Sequence, residues 1–323
     1  MIPHRQILVP VEIHENAAPV VQWAALMAHV MESHLLLLHV NESLEPFATR
    51  PAFHGGVSPD TTTTAEEWRK TYEQSARQEL AQLIEQCCAG VSVETVLREG
   101  RAHRVILEYL EHAPCDLIVM GTHGRPWYQR LLLGSTAEAV LRAASVPTLI
   151  VHNTANKQPP PQLTRLVLSS DFSAASKAAE EEALTLAAHG VREVFLVHTV
   201  ENPLLDIYDP DTAEIDLRRI MEESRQHPPR SAQPFWDHAH QVAQAKLMLL
   251  RQRFLGAGVQ VELFVTEGFP AEEILTVAKN RSADLIVMAT HGRSGIRRLL
   301  LGSVTEKVVR TAHCPVLAVR SQE

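Results

Sequence analysis

Two glycine-containing loops carry the residues whose types and spacing could do chemistry. The stretch 116–135 reads DLIVMGTHGRPWYQRLLLGS, and 284–303 repeats it as DLIVMATHGRSGIRRLLLGS. In each copy an apolar strand-like run enters a loop with glycine, histidine and arginine. Gly-Ser then opens a helical pattern, which predicts Ser135 and Ser303 as helix N-caps. Because glycines let an anion approach the free N–H groups of a helix N-terminus, the spacing predicts a phosphate site in each copy.

The first loop fits the spacing G-x2-G-x9-G-[S/T] in full, whereas the second has Ala289 at the first position. Turn chemistry and a helix cap would explain such spacing equally well. A nucleotide site is favoured by the repeat and by an acidic residue closing the first strand of each half, Glu12 and Asp171. In a doubly wound sheet, strands one and four flank the point where ligands bind. The alternative is local, with Asp171 beginning a helix cap within SSDFS.

The elements that must position these residues alternate between strand and helix. Hydrophobic periodicity predicts strands at 7–11, 34–40, 91–97, 116–120 and 147–152, and then at 163–169, 194–198, 259–265, 284–288 and 315–320. Helices are predicted at 17–33, up to about 88, around 105–110, at 135–144, and from 173 and 303 onwards. Five strands alternating with four helices in each half imply parallel pairing and right-handed crossovers. The predicted fold class is α/β, with two tandem Rossmann-like domains, each a five-stranded parallel sheet flanked by helices.

An internal duplication sets the domain organisation. We expect a first domain at 1–152, a Pro-rich linker at 153–162 and a second domain at 163–323. Glu12 aligns with Asp171 at an offset of 159, but later residues align at 168, so the second half carries nine additional residues within about 201–233. This insertion is interpreted either as a plain surface segment or as a lid or partner-docking element.

Composition narrows the class of protein. A chain of 323 residues with 45% hydrophobic content can bury two ordinary cores. A formal net charge of −8 argues against binding to nucleic acid or to an anionic membrane. No apolar run approaches the roughly 20 residues that span a bilayer, and the N-terminus enters a strand directly. Four cysteines without CxxC spacing suit a reducing compartment, so we expect a cytoplasmic protein.

The histidines offer little further chemistry. His39 and His198 end buried strands and are interpreted as hydrogen-bonded core residues. His123 and His291 lie in the loops, where contacting a phosphate and shaping the turn are equally plausible interpretations. The pair at 238–240 lacks neighbouring ligands for a zinc site. The sequence contains no GxxxxGK[ST], GxSxG or HExxH motif and no evident general base, which predicts slow nucleotide hydrolysis or none.

These motifs resemble the universal stress protein family in its tandem two-domain form. The resemblance is carried by ILVPVE and LVLSSDFS, LLHV and LVHT, both THGR loops, both LLLGS helix starts, and the closing PTLIV and PVLAV. It implies that ATP or another adenine nucleotide, with or without Mg²⁺, is held by the strand-one Asp, the backbone after strand two and the glycine loop.

The resemblance also implies roles for individual residues. Asp171 would contact the adenosine, and the backbone at Val40 and Thr199 would lie beside adenine. The full set of expected nucleotide-binding residues is Pro10, Glu12, Val40, Met120, Gly121, Gly124, Arg125, Gly134, Ser135 and Thr136 in the first half, and Asp171, Thr199, Met288, Ala289, Gly292, Arg293, Gly302, Ser303, Val304 and Thr305 in the second.

Departures from the family pattern distinguish the halves. Glu12 replaces the usual Asp and adds a methylene that would crowd the adenosine. Residues 126–128 (PWY) are bulkier than residues 294–296 (SGI). Ala289 lacks the freedom of glycine at positive φ, which matters only if that site requires it. We expect the second half to hold the tighter site.

The leading functional hypothesis is a regulatory stress-response protein that binds adenine nucleotide without rapid turnover. The alternatives are a nucleotide-free scaffold that docks a partner protein, and a slow ATPase. The apolar last strands, 147–151 and 315–319, would be exposed as sheet edges. The resemblance implies that they pair the two halves into an internal pseudo-dimer, and it leaves a further homodimer open.

Overall fold

The computed structural model describes residues 6–13, 17–42, 65–122, 133–152, 159–200, 233–292 and 301–321. The chain separates into two compact units, residues 1–162 and 163–323. The first unit contains β1 (Gln6–Pro10), α1 (Ala18–Met31), β2 (His34–Asn41), α2 (Ala65–Cys87), β3 (Val93–Glu99), α3 (Ala102–His112), β4 (Leu117–Gly121), α4 (Ser135–Ala143) and β5 (Thr148–Val151). The second contains β6 (Arg165–Ser169), α5 (Ala174–Ala187), β7 (Glu193–Val200), α6 (Gln233–Leu255), β8 (Gln260–Glu267), α7 (Pro270–Asn280), β9 (Leu285–Ala289), α8 (Ser303–Thr311) and β10 (Val316–Val319).

Each unit is built on a five-stranded parallel sheet, which confirms the predicted fold class. The strand order is β3-β2-β1-β4-β5 in the first unit and β8-β7-β6-β9-β10 in the second. In each unit the chain moves outward from the first strand, crosses back and continues on the other side. The point of reversal lies between β1 and β4, and between β6 and β9. A doubly wound sheet binds ligands there, at the carboxyl ends of the strands.

The central strands are apolar on both sides because helices cover both sheet faces. Residues 7–9 of β1 and 285–287 of β9 are completely buried. Helix α1 contacts α2, and α3 contacts α4, as expected when right-handed crossovers place one pair on each face. The core therefore fixes the strand ends, from which the loops with candidate site residues project.

Some element boundaries match the predictions, and the others differ by one to three residues for reasons that lie in the local sequence. Strand β10 begins at Val316 rather than Pro315, because proline has no N–H to donate to a ladder. Helix α1 ends at Met31 rather than Ser33, because Glu32 adopts a left-handed conformation at φ 50°. Strand β3 begins at Val93 rather than Val91, after a turn with Gly90 at φ +76°.

Candidate functional site

The described candidate residues of the second unit lie along the carboxyl edge of its sheet. Asp171 follows β6 by two residues, Thr199 is the penultimate residue of β7, and Ala289 is the last residue of β9. Gly302 immediately precedes α8. The sheet topology therefore brings one carboxylate, two strand ends and one helix N-terminus to the point where the strand order reverses.

Gly292 and Asp171 lie against each other at one side of the crevice that forms where the strand order reverses. A Cβ atom added to Gly292 would lie 2.8 Å from Asp171 Oδ2, closer than real Cβ contacts allow. Only a residue without a Cβ allows the backbone after β9 to approach the Asp171 carboxylate this closely. A small polar ligand at this edge would therefore lie beside the adjoining loop backbone and carboxylate, and not between them.

The residue before helix α8, Gly302, has extended dihedral angles, φ −62° and ψ 141°. The Gly302 N–H donates to the Thr290 carbonyl at 2.9 Å, and its own carbonyl accepts from Glu306 N at 2.8 Å. A Cβ at Gly302 would lie 3.1 Å from the Thr290 oxygen, a tight contact. The loop return is therefore held close to the end of β9 by backbone hydrogen bonds.

The prediction that Ser135 and Ser303 are N-caps is wrong. Gly134 and Gly302 occupy the N-cap positions, and the serines are the exposed first residues of α4 and α8. Helical hydrogen bonding starts at the glycine carbonyls, which leaves the serine hydroxyls one position too late to cap.

No side chain among the described residues caps α4 or α8. By contrast, the Ser173 side chain caps α5 by accepting from Ser176 N at 3.2 Å. The first turns of α4 and α8 thus present backbone N–H groups and the positive end of the helix dipole to an anion. The acidic side chains of these turns form ion pairs one turn further along, Glu138 with Arg142 and Glu306 with Arg310.

Asp171 is held by its own loop. Its Oδ1 accepts from Ser173 N at 2.9 Å and from Ser176 Oγ at 2.5 Å, while Oδ2 lies towards Gly292. The local alternative for Asp171 therefore describes part of its role, since the carboxylate stabilises the turn before α5. The same bonds fix the orientation in which it faces the crevice.

The turn that carries Asp171 is bonded to a buried glutamate that the sequence did not reveal as part of a polar network. Ser170 Oγ donates to Glu180 Oε1 at 2.8 Å and accepts from Phe172 N at 3.1 Å. Arg253 Nη1 lies 3.8 Å from Glu180 Oε2. The available signal was a glutamate within the apolar stripe of α5, between Ala179 and Ala183.

Both strand-end histidines are hydrogen-bonded core residues, as predicted. His39 Nδ1 bonds the Val11 carbonyl at 2.9 Å, and His198 Nδ1 bonds the Ser170 carbonyl at 2.8 Å. Because a carbonyl only accepts, each Nδ1 carries the proton. The His39 Nε2 atom then accepts from the Tyr72 hydroxyl at 2.7 Å. These bonds fasten the second strand of each unit to the end of the first.

The first unit differs from the second in the exposure of its acidic residue and in having a cleft away from the point where the strand order reverses. Glu12 is exposed, whereas Asp171 is half-buried. A cleft of about 230 Å³ opens at the ends of β2 and β3, lined by His39, Asn41, Arg69, Tyr72, Glu73, Leu97, Arg98 and Glu99. Burial raises the pKa of Tyr72, and the charges of Glu79 and Glu12 raise it further. The Tyr72 hydroxyl therefore remains protonated at neutral pH as it bonds His39.

The first position of the glycine pattern serves packing. Gly121 lies in strand β4 without a positive φ, and an added Cβ would lie 3.1 Å from Val20 Cγ2. In the second unit the corresponding pair is Ala289 and Ala179, both buried. The larger residue on the strand is matched by a smaller one on the helix. Ala289 thus sits where no glycine conformation is needed.

Some of the other candidate side chains form hydrogen bonds with nearby residues, and the remainder are described by their burial. Thr305 is buried, and its hydroxyl donates to the Ala289 carbonyl at 2.8 Å. Thr199 Oγ1 and Thr266 Oγ1 are 3.0 Å apart. His291 Nδ1 bonds Thr290 Oγ1 at 2.8 Å, a contact that shapes the turn. Met120 and Met288 are buried, whereas the half-buried set comprises Pro10, Val40, Thr136 and Val304.

Several predictions fall outside the described residues. They concern Gly124, Arg125, His123 and Arg293 of the loops, most of the 201–233 insertion and part of the linker. Among the helices of the described ranges, none is both long and apolar enough to cross a membrane.

Comparisons with known proteins agree with this architecture. The model of the universal stress protein family matches the chain twice, at residues 3–152 and 163–320. A universal stress protein of Mycolicibacterium smegmatis is 27% identical over 322 residues, covering 97% of this chain and 96% of the relative. One from Methanocaldococcus jannaschii is 32% identical over 157 residues, covering 48% of this chain and 81% of the relative.

The solved structures include a similar two-unit chain. The crystal structure of a universal stress protein from Archaeoglobus fulgidus covers 98% of this chain and 97% of its own, with a TM-score of 0.60 and 22% identity. That likeness supports the fold. The tandem match of the family model covers nearly the whole sequence, and on that ground the chain belongs to the universal stress protein family.

Proposed function

We propose that this protein binds an adenine nucleotide, with ATP as the leading candidate, and acts through its bound state as a regulatory stress-response protein. The observation that carries the proposal is the contact between Gly292 and Asp171 beside the uncapped N-terminus of α8. A phosphate-binding loop and a carboxylate able to hold a nucleoside hydroxyl or amino group thereby lie in one crevice. The family resemblance points to the same ligand.

The proposed contacts divide the nucleotide between two ends of the crevice. The phosphates would lie over Gly292, Gly302 and the first turn of α8, where backbone N–H groups complement negative charge. The adenosine would lie at Asp171, with the backbone of Thr199 beside the base. Mg²⁺ would enter with the phosphates, since it is commonly held by phosphate oxygens, water and few protein ligands.

Slow turnover is part of the proposal. Hydrolysis of ATP requires a group that positions and activates water. The described loop histidine, His291, uses Nδ1 to bond Thr290, and Asp171 is held by Ser173 and Ser176 at the proposed adenosine end. ATP hydrolysis near a typical enzyme median of about 10 per second, abolished by His291→Ala, would establish an ATPase instead.

The direct test is to denature the purified protein and identify the small molecules it releases. We expect adenine nucleotide, and we expect protein stripped of it to bind ATP again on titration. If repeated preparations release none and titration detects no affinity, the nucleotide proposal fails.

A second candidate function is a scaffold that docks a partner protein. Helix α6, which follows the insertion, exposes large apolar side chains, with Leu249 at 65% and Met248 at 48%. Such side chains on one helix are found at protein interfaces. The same release and titration experiment separates the candidates, because a nucleotide-free scaffold yields neither signal.

A further inference from the structure

Glu180 is a buried carboxylate with no place among the proposed nucleotide contacts. Its exposed fraction is 8%, and it lies within the apolar stripe of α5 that packs on β6, β9 and β10. Burying a charged group is unfavourable unless it is paired and hydrogen-bonded. A residue maintained at such a cost near a proposed ligand crevice is a candidate for a functional role.

Hydrogen bonds connect Glu180 to the residues on either side of Asp171. An ionised carboxylate can only accept, so the Ser170 hydroxyl spends its single proton on Glu180 Oε1. The Ser170 oxygen is thereby oriented to accept from the Phe172 N–H. The negative charge of Glu180 thus sets the direction of the Ser170 hydroxyl bond and leaves the Ser170 oxygen free to accept from the Phe172 N–H, so that the backbone is held both before and after Asp171.

The turn requires this support because it contains an unfavourable conformation. Phe172 adopts φ +60°, in the left-handed region that costs a residue with a Cβ about 1 to 2 kcal/mol. Its ring packs on His198 with the ring centroids 4.4 Å apart, and Lys246 Nζ lies 5.0 Å from the ring centre. Contacts from several elements therefore hold the residue next to Asp171 in place.

The first unit lacks these groups. At the offset that aligns Glu12 with Asp171, Ser170 corresponds to Val11 and Glu180 to Val21, both buried and apolar. The network consequently belongs to the second unit alone, beneath the crevice with the fixed carboxylate.

We propose that Glu180 is a positioning residue of the second nucleotide site, which it serves through Ser170 by fixing the turn that presents Asp171. This inference rests on the proposed function and adds regulation to it. Protonation of Glu180 removes the charge that orients the Ser170 hydroxyl, so nucleotide affinity at the second site falls as the pH falls. Affinity at the first site lacks this component.

The surroundings of Glu180 give the sign of this effect. Burial raises the pKa of Glu180 above its ordinary 4.5, and the charge of Glu181 also raises it. The Ser170 hydrogen bond and the charges of Arg253 and Lys177 oppose that rise. Arg253 comes from α6, and Glu181 and Lys177 come from α5 itself. The buried residues 166–168 of β6 and all residues of β9 and β10 are apolar. Protonation therefore begins at a higher pH than for an exposed glutamate.

The test measures ATP affinity by calorimetry from mildly alkaline to mildly acidic pH, in full-length protein with the first site blocked by Gly134→Glu. Glu180→Gln keeps the side-chain volume but removes the charge, and should weaken binding at the alkaline end by about tenfold, the equivalent of one pKa unit of coupling. Ser170→Ala should do the same, and the double variant should be no weaker than either single variant.

The matched control is Glu181→Gln. Glu181 also pairs with Arg253, at 2.6 Å, but the Ser170 hydroxyl donates to Glu180 and not to Glu181. This variant should therefore bind as the parent does at the alkaline end, where Glu180 is ionised in both proteins. In protein with the second site blocked by Gly302→Glu, Glu180→Gln should leave ATP affinity at the first site unchanged. Thermal unfolding of each variant confirms that it is folded.

The outcomes separate the two claims. An affinity that falls with pH in the parent more steeply than in Glu180→Gln supports the inference. Parallel pH profiles, or equal weakening by Glu181→Gln, would overturn it and leave the nucleotide proposal intact. If the parent protein binds no ATP at any pH, both claims fail together.

Discussion

The two units have similar glycine-loop sequences, but different groups surround the acidic residue that follows the first strand of each unit. In the second unit Asp171 is held by Ser173 and Ser176, above the buried pair of Ser170 and Glu180. In the first unit Glu12 is exposed, and Val11 and Val21 replace the buried pair. Duplication of a loop therefore does not duplicate the electrostatics of a site. The groups behind the loop determine how firmly its carboxylate is presented.

The opposite lesson comes from the first position of the glycine pattern. Gly121 lies against Val20, and the repeat aligns these two residues with Ala289 and Ala179, so the larger strand residue corresponds to a smaller helix residue. A visible departure from the motif is thus compensated by packing. The departure at Glu12 has no such compensation among the described residues, so the comparison favours the second site as the tighter one.

The largest effect on this comparison is expected from Gly292→Ala. The new Cβ would lie 2.8 Å from Asp171 Oδ2 and displace the carboxylate. Loss of a hydrogen bond to a charged group should weaken ATP binding at the second site by about tenfold. Calorimetry on the full chain measures the change. Gly256→Ala is the control, because its Cβ would make an ordinary contact, 3.4 Å from the Arg253 oxygen. Equal affinity in both variants would remove Asp171 from the site.

A smaller effect, on the free energy of unfolding, is expected when Gly121 and Val20 are replaced by the alanines found at the aligned positions of the second unit. Gly121→Ala brings a methyl group to 3.1 Å from Val20 Cγ2 and should lower the free energy of unfolding by about 1 kcal/mol. Adding Val20→Ala recreates the pair found in the second unit and should recover part of that loss. Chemical denaturation measures both variants. A single variant as stable as the parent would show that Gly121 is not required for packing.

A still smaller gain is expected from Glu12→Asp. The shorter carboxylate reproduces Asp171 and should tighten ATP binding at the first site by about threefold, since charged contacts near a surface contribute little. The gain is limited because Ala17 stands where Ser176 supplies a hydroxyl. The affinity is measured with the second site blocked. Weaker binding than in the parent would show that the longer Glu12 side chain is the better ligand.

The smallest expected effect concerns stability against pH. The folded-state pKa of Glu180 is raised above 4.5, so the folded protein holds this proton more tightly than the unfolded chain. The associated stability is fully present below about 4.5 and is lost as the pH rises through the folded-state pKa. As the pH rises through that window, the free energy of unfolding of the parent should therefore fall relative to that of Glu180→Gln. A constant difference across it would contradict the shifted pKa.

Much of the fold could be predicted because apolar runs and their spacing are local signals. The five strands of each unit, their parallel pairing and the core histidines followed from the sequence. Helix starts were less predictable, since Ser303 has the right residue type for a cap while the backbone of Gly302 takes the position. The pairing of the units through their last strands stays a prediction.

The network around Glu180 could not be predicted for a physical reason. A glutamate in a helix is usually a solvated surface residue, and only the packing of α5 on the sheet shows that this one is buried. Its link to Phe172 depends on a left-handed backbone conformation, which is rare for phenylalanine and has no sequence signature here.

The central claim is that both units bind adenine nucleotide and that the second binds it more tightly. The most direct measurement is calorimetric titration of ATP into the nucleotide-free full chain, alongside Gly134→Glu and Gly302→Glu. Each variant adds a carboxylate near the expected phosphate, together with a Cβ that lies 2.7 Å from the Thr122 oxygen or 3.1 Å from the Thr290 oxygen and displaces the loop return. The account predicts two unequal sites in the parent, with the tighter one lost in Gly302→Glu and retained in Gly134→Glu. Unchanged affinity and stoichiometry in Gly302→Glu, or loss of the tighter site in Gly134→Glu, would contradict it.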